Sequence, residues 1–201
     1  MKRISCEVVA VGTELLLGQI VDTNSSWIGE QLALSGIDSF FQTKVGDNPE
    51  RIKSVLRQAL NRSDYVIVCG GLGPTQDDLT RDMIAEVMGV ELRLRDDLVE
   101  KIASMFSGRN RRMPENNLRQ AMVPEGAEPL AVMPGTAPGL KAPIGGKTIY
   151  AVPGVPWEMK QMVTSCIIPD IRTEAGLTSI IRSKTLRTWG DSESGLSLIH
   201  I

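Results

Sequence analysis

Residues Gly70-Gly71-Leu72-Gly73-Pro74-Thr75-Gln76-Asp77-Asp78-Leu79-Thr80 concentrate the chemistry of this chain. Three glycines in four residues let a backbone approach a phosphate closely and adopt positive φ, and successive amides in such a turn form a nest for an anion. Asp77 and Asp78 follow at once. Acids there can cap the helix that starts near Leu79, and they also suit Mg2+, which takes one or two carboxylates together with phosphate oxygens and water. The pattern is not a Walker A loop, because no lysine follows Gly73. Nor is it a dinucleotide fingerprint, whose glycines would follow the first strand. Gly12-Thr13-Glu14 forms a second candidate loop. Gly135-Thr136-Ala137-Pro138-Gly139 and Pro153-Gly154-Val155-Pro156 are two further rigid turns.

What the chain lacks narrows the reactions open to it. Its single histidine, His200, falls in the last two residues, where order is least expected. That removes Ser-His-Asp, Cys-His and histidine-ligated zinc chemistry. Carboxylates, hydroxyls, amides, lysine or arginine must do the work, with a hard divalent ion such as Mg2+ as the expected cofactor. Cys6, Cys69 and Cys166 lie far apart among apolar neighbours and read as buried thiols, neither a disulfide framework nor a metal knuckle. The formal net charge of −2 and its scatter along the chain point to no nucleic acid and no membrane. Ile4 to Val11 is too short for a signal segment or a span, so the cytoplasm is the expected location. Arg109, Arg111 and Arg112 read as a solvated loop or as a clamp on substrate phosphates.

These residues need elements to hold them. Ile4 to Val11 and Tyr65 to Cys69 are apolar, β-branched runs ending at glycine, the pattern of strands buried on both faces. Val8, Val9, Val66, Ile67 and Val68 are therefore expected in central parallel strands. Helices are expected from Asn24, an N-cap candidate, to Ser35, after the cap and proline of Asn48-Pro49-Glu50 with Ile52, Val55, Leu56, Ala59 and Leu60 at helical spacing, from Leu79 to Met88, and from Asp96 to Phe106. Ile37 to Val45 and Lys147 to Val152 supply further strands, and Val155 to Cys166 a helix with proline near its start. Trp27 is expected in the core beside Ile28. Alternating strands and helices predict an α/β protein with a mostly parallel sheet covered on both faces, and ligands in such a sheet bind beyond the strand C-termini. A domain covering 1–172 is expected, with 173–201 opening a linker or small second domain that includes a strand from Lys184 to Trp189. The apolar stub from Ser197 to Ile201 suggests a piece of a longer protein.

Five segments in this order carry a family resemblance: Gly12-Thr-Glu-Leu-Leu-Leu-Gly-Gln-Ile-Val-Asp-Thr-Asn24, Gly70 to Thr80, Asn117-Leu-Arg-Gln-Ala121, Gly135 to Gly139, and Pro153-Gly-Val-Pro-Trp-Glu-Met159. Together they resemble the N-terminal domain of CinA (competence/damage-inducible) proteins. Resemblance implies a three-layer α/β/α sandwich of the molybdopterin-binding fold, similar to MoaB and MogA, in a homodimer. It also implies metal-dependent hydrolysis of a nucleotide pyrophosphate, ADP-ribose first among them. Alternatives within the resemblance are molybdopterin binding or adenylation, and a non-catalytic nucleotide sensor for a C-terminal nicotinamide mononucleotide amidohydrolase domain. Carried onto this sequence, Asp78 and Glu14 are the expected catalytic residues. Asp78, Asp22 and Glu14 are the expected metal ligands. Gly12, Thr13, Asn24, Gly70, Gly71, Gly73, Thr80, Asn117, Gly135, Thr136, Gly154 and Glu158 are the expected substrate contacts. The chain departs from the family pattern at Val132-Met133-Pro134, where members often have Asn-Pro, and at Trp157, where the residue is more often small.

Overall fold

The structure is a computed structural model and describes residues 4–107, 112–177 and 189. From the N-terminus it runs β1 (Cys6–Val11), α1 (Thr13–Leu16), α2 (Thr23–Leu34), β2 (Gln42–Val45), α3 (Pro49–Arg62), β3 (Tyr65–Cys69), α4 (Thr80–Met88), β4 (Leu92–Leu94) and α5 (Asp96–Ser107). After a 3-10 turn (Glu115–Ala121) come β5 (Met122–Pro124), β6 (Glu128–Pro129), β7 (Leu140–Ile144), β8 (Lys147–Val152) and α6 (Pro156–Met162). A π turn (Val163–Ile167) then leads into α7 (Ile168–Glu174). The main sheet has the order β2-β1-β3-β8-β7-β6, and β4 pairs with β5 separately.

Pairing from β2 to β8 is parallel, with Val8 opposite Gln42 and Ile67, and Ile67 opposite Tyr150. β7 and β6 extend the sheet antiparallel. Val8, Val9, Val66, Ile67 and Val68 are fully buried in it, as their β-branched composition requires. Alternation along the strands divides the core in two. Val9, Val11, Val66, Val68 and Ile149 pack with Ile52 and Leu56 of α3, Ile84 of α4 and Ile102 of α5. Val8, Ile67, Tyr150 and Val152 pack with Ile28 and Leu32 of α2, Met159 of α6 and Ile171 of α7. Helices thus cover both faces in the expected three layers, and each such fully buried aliphatic side chain contributes about 1.5–3 kcal/mol. No helix among the described residues is long and apolar enough to cross a membrane.

Several local features differ from the sequence reading. The segment Ile37 to Val45 pairs as a strand only over Gln42–Val45, with a lone bridge between Ser5 and Asp38 before it. Asp22, not Asn24, caps α2, its Oδ1 accepting the Ser25 amide at 2.9 Å. Asn48 does cap α3, accepting the Arg51 amide at 3.1 Å, with Pro49 behind it. The last helical segment continues past Cys166 to Glu174. Pro169 lacks an N–H and would clash in a regular helix, and the π turn just before it widens the backbone there. The expected boundary near residue 172 falls within α7, and the expected strand from Lys184 to Trp189 lies outside the described residues apart from an exposed Trp189. Trp27 is half-buried against the α2 side of the core, with the Lys160 ammonium 5.3 Å from its ring centre.

Candidate functional site

β1, β3 and β8 end side by side, and the chain leaves them at Gly12, Gly70 and Pro153. Connections from neighbouring strands diverge there, which opens a crevice at the carboxyl edge of the sheet. A pocket of about 560 Å³ occupies it. Ten of the expected residues line it: Glu14, Asp22, Asn24, Gly70, Gly71, Gly73, Asp78, Thr136, Gly154 and Glu158.

The glycine turn is held from the α4 side. Thr80 is fully buried, its hydroxyl donates to the Gly70 carbonyl at 2.8 Å, and its amide donates to the Gly71 carbonyl at 3.1 Å. In a trans peptide the C=O and N–H point in opposite directions, so tying these carbonyls to α4 turns the Gly71 and Leu72 amides away from it. Among the described residues, the amides of Gly71, Leu72 and Gly73 have no acceptor, and all three residues line the pocket. They form the anion nest expected from the sequence. Gly70, at φ 106, has room for no side chain because its Cβ would fall against the Val11 carbonyl. Gly73 lies close against the Asp78 carboxylate, so a Cβ there would have to displace that side chain.

Asp78 does not cap α4. The cap position is Leu79, and the Asp78 Oδ2 accepts the Thr75 amide and hydroxyl, tightening the loop. Asp22 spends Oδ1 on its cap. Its Oδ2 is buried without a hydrogen-bond donor, the Lys44 ammonium standing 3.7 Å away, outside hydrogen-bonding range. Glu14 rises from α1 over Gly12. Glu158 leads the first turn of α6 against Gly135, and no donor among the described residues reaches its carboxylate. Burial pushes its carboxyl up from the ordinary glutamate range. Asn24 bridges the loops after β3 and β8, donating to the Gly154 carbonyl at 2.8 Å and to the Cys69 sulfur at 3.5 Å. Cys69 sits on the pocket floor, and desolvation raises its thiol to about 12, so it stays protonated. Cys6 is likewise buried, whereas Cys166 is only partly so.

Five expected contacts stand behind or beside the lining. Thr80 supports the glycine turn. Thr13 is fastened to Asp47, giving its amide and hydroxyl to Oδ2 at 2.8 Å each, and Gly12 and Gly135 lie against the Glu14 and Glu158 carboxylates. Asn117 is buried and donates to the Gln120 Oε1 at 2.7 Å, so Gln120 reaches the pocket and Asn117 holds it in place. Gln120 had a signal in the sequence, because it shares a motif with Asn117, but motif position alone does not say which amide faces a ligand. Ile20, Val21 and Val155 add an exposed apolar wall that sequence reading did not assign to the site. Arg109 and Arg111 lie outside the described residues, and Arg112 is exposed.

Glu14, Asp22, Asp78 and Glu158 give the pocket four carboxylates, and among the described residues no lysine, arginine or histidine lines it. Among the described residues no three acidic, cysteine or histidine side chains gather closely enough to cage a metal ion. The donor set nevertheless suits a small hard cation. Such ions keep water and take phosphate oxygens beside one or two carboxylates, and the buried Asp22 Oδ2 accepts no hydrogen bond from the described residues, with the Lys44 ammonium 3.7 Å away.

The model of the family described as "Probable molybdopterin binding domain" matches residues 7–173. A CinA-like protein of Frankia casuarinae is 48% identical over 197 residues, covering 95% of this chain and 45% of its own length. One from a Synechococcus species is 43% identical over 196 residues, covering 97% of this chain and 47% of its own. The chain thus spans about half the length of these relatives. A crystal structure of CinA from Thermoplasma acidophilum superposes with a TM-score of 0.75 at 34% identity, covering 86% of this chain and 98% of that one. The molybdopterin biosynthesis enzyme MoaB of Thermus thermophilus shares the fold, with a TM-score of 0.58 at 20% identity over 87% of this chain and 95% of that one. The chain belongs to the CinA family and carries its molybdopterin-binding domain.

Proposed function

We propose that the pocket binds a phosphate-bearing ligand of the molybdopterin class with the help of a divalent cation. One observation carries this reading: among the described residues, three unengaged amides at Gly71, Leu72 and Gly73 face the same crevice as four carboxylates, and no basic side chain lines it. Amides alone can cradle a phosphate, but the surrounding acids repel it. A cation held by Asp78 with Glu14 or Asp22 would offset the phosphate charge and polarise a P–O bond. Ile20, Val21 and Val155 offer the apolar wall against which a flat heterocycle rests. The description of the matching family model supports the pterin class.

A second reading, hydrolysis of a nucleotide pyrophosphate such as ADP-ribose, is favoured by Glu158. Its half-buried carboxylate meets no donor among the described residues and has a raised proton affinity, which suits a group that accepts a proton. Hydrolysis adds one water across the P–O–P bridge: the water oxygen bonds to phosphorus, the bridging oxygen leaves, and Glu158 takes the proton that water releases. Molybdopterin and ADP-ribose, each titrated with Mg2+ and with a chelator and followed by product analysis, separate the two. Mg2+-dependent molybdopterin binding supports the first reading, and release of AMP and ribose 5-phosphate supports the second. Binding of neither compound would remove both.

A further inference from the structure

Arg81 is the largest fully buried side chain in the described structure, and the acids whose charge reaches it, Asp82 and Asp78, act on it without direct contact. Its Nη2 donates to the Leu72 carbonyl at 3.1 Å, while Nε and Nη1 are buried with no hydrogen-bond partner among the described residues. Among the described residues, no carboxylate forms an ion pair with it. Asp82 and Asp78 act on it only through space: Asp82 accepts from Arg119 at 2.8 Å, and Asp78 Oδ2 accepts from Thr75. An unpaired buried charge is costly, and folded proteins tolerate one where it does work elsewhere.

The direction of its single bond says where that work lies. Leu72 C=O belongs to the same trans peptide as Gly73 N–H, so a carbonyl drawn inward by Arg81, with Gln120 Nε2 at 3.5 Å assisting, turns the Gly73 amide outward. Thr80 orients the first two amides of the nest, and Arg81 orients the third. Arg81 differs in also bringing a full positive charge to the back of the turn. That low-dielectric position strengthens its pull on an anion in front.

We propose that Arg81 is the positioning residue of the phosphate nest: it fixes the Leu72–Gly73 peptide and supplies, from behind the glycine turn, a positive charge that the described residues of the pocket lining lack. The proposal rests on the reading that the ligand is an anion held by the Gly71–Gly73 amides. It deepens that reading by giving the nest a charge preference, so an anion of higher charge gains more from Arg81 than one of lower charge. Desolvation lowers the Arg81 guanidinium to about 10, which leaves it charged at neutral pH.

The test uses inorganic pyrophosphate and inorganic phosphate as probes, titrated calorimetrically in Mg2+ buffer into wild type, Arg81→Met and Arg81→Lys, with thermal unfolding of each ligand-free protein. Arg81→Met is expected to melt no lower than wild type, because it removes a buried charge that has no direct ion pair. It is also expected to lose about tenfold or more in pyrophosphate affinity, with a smaller loss for phosphate. Arg81→Lys is expected to recover part of the pyrophosphate affinity. Pyrophosphate affinity within twofold of wild type in Arg81→Met, or equal losses for both probes, would overturn the proposal while leaving the pocket reading intact. So would failure of Arg81→Met to fold, since the arginine would then be a structural strut. If wild type itself binds neither probe, the pocket reading fails and the proposal falls with it.

Discussion

Asp78 and Thr75 close on each other: the Asp78 Oδ2 takes the Thr75 amide at 2.9 Å and its hydroxyl at 2.5 Å. One carboxylate oxygen therefore shapes the loop, and its charge remains beside the glycine nest. Asp78→Asn keeps an oxygen for the loop and removes the charge a hard cation needs. We expect stability to stay within ~1 kcal/mol while Mg2+-dependent pyrophosphate affinity falls about tenfold or more, and ADP-ribose turnover by ~10². Calorimetry beside thermal unfolding checks this. Unchanged affinity at saturating Mg2+ would reduce Asp78 to a loop staple.

Gly73 faces that same carboxylate. Gly73→Val must push the Asp78 side chain aside, so pyrophosphate binding is expected to weaken in a protein that still unfolds cooperatively. A folded variant with wild-type affinity would place the phosphate somewhere other than this turn.

Gly70 and Gly18 both have positive φ, at 106° and 69°, but differ in surroundings. A Cβ on Gly70 would meet the Val11 carbonyl, whereas one on Gly18 meets nothing within 4 Å. Gly18→Ala carries only the backbone cost, about 1 kcal/mol, and Gly70→Ala adds displacement of a central strand, for a total on the order of 3 kcal/mol or more. Urea unfolding of the two variants measures the difference. Equal costs would mean that the end of β1 gives way easily.

Glu158 has its proton affinity raised by burial alone. The folded protein then holds this proton more tightly than the unfolded chain. The stability contributed is full below the unfolded value of roughly 4.3 and is lost as pH rises through the higher folded value. Glu158→Gln does not titrate, so its melting temperature relative to wild type should climb as pH rises from about 4 towards 7. A gap that stays constant or narrows over that range would show that the carboxylate is stabilised when charged.

The central strands were legible because β1, β3 and β8 are β-branched runs that stop at glycine or proline, where the chain has to turn. β7 was not, since Lys141 and Pro143 interrupt it, and its pairing depends on β8 rather than on its own periodicity. β4, β5 and β6 are two or three residues long, too short for any period to register. The site was legible as a set of loops, because the motifs at Gly12, Gly70 and Pro153 follow strands whose ends converge. Roles within it were harder to read. Thr80, Asn117 and Gly135 carry motif signals yet support the lining from behind, a distinction set by which way each peptide faces. Arg81 gave no signal at all: an arginine in the first turn of a helix reads as solvent-facing, and only the packing of α4 against the glycine turn buries it.

The central claim is that this crevice accepts an anion through its amides and a divalent cation, its own carboxylates holding the cation. Calorimetric titration of pyrophosphate into the wild-type protein, once with saturating Mg2+ and once with EDTA, addresses it most directly. The account predicts one site per chain and affinity about tenfold or more tighter with Mg2+. Equal affinity in the two buffers, or tighter binding in EDTA, would contradict it.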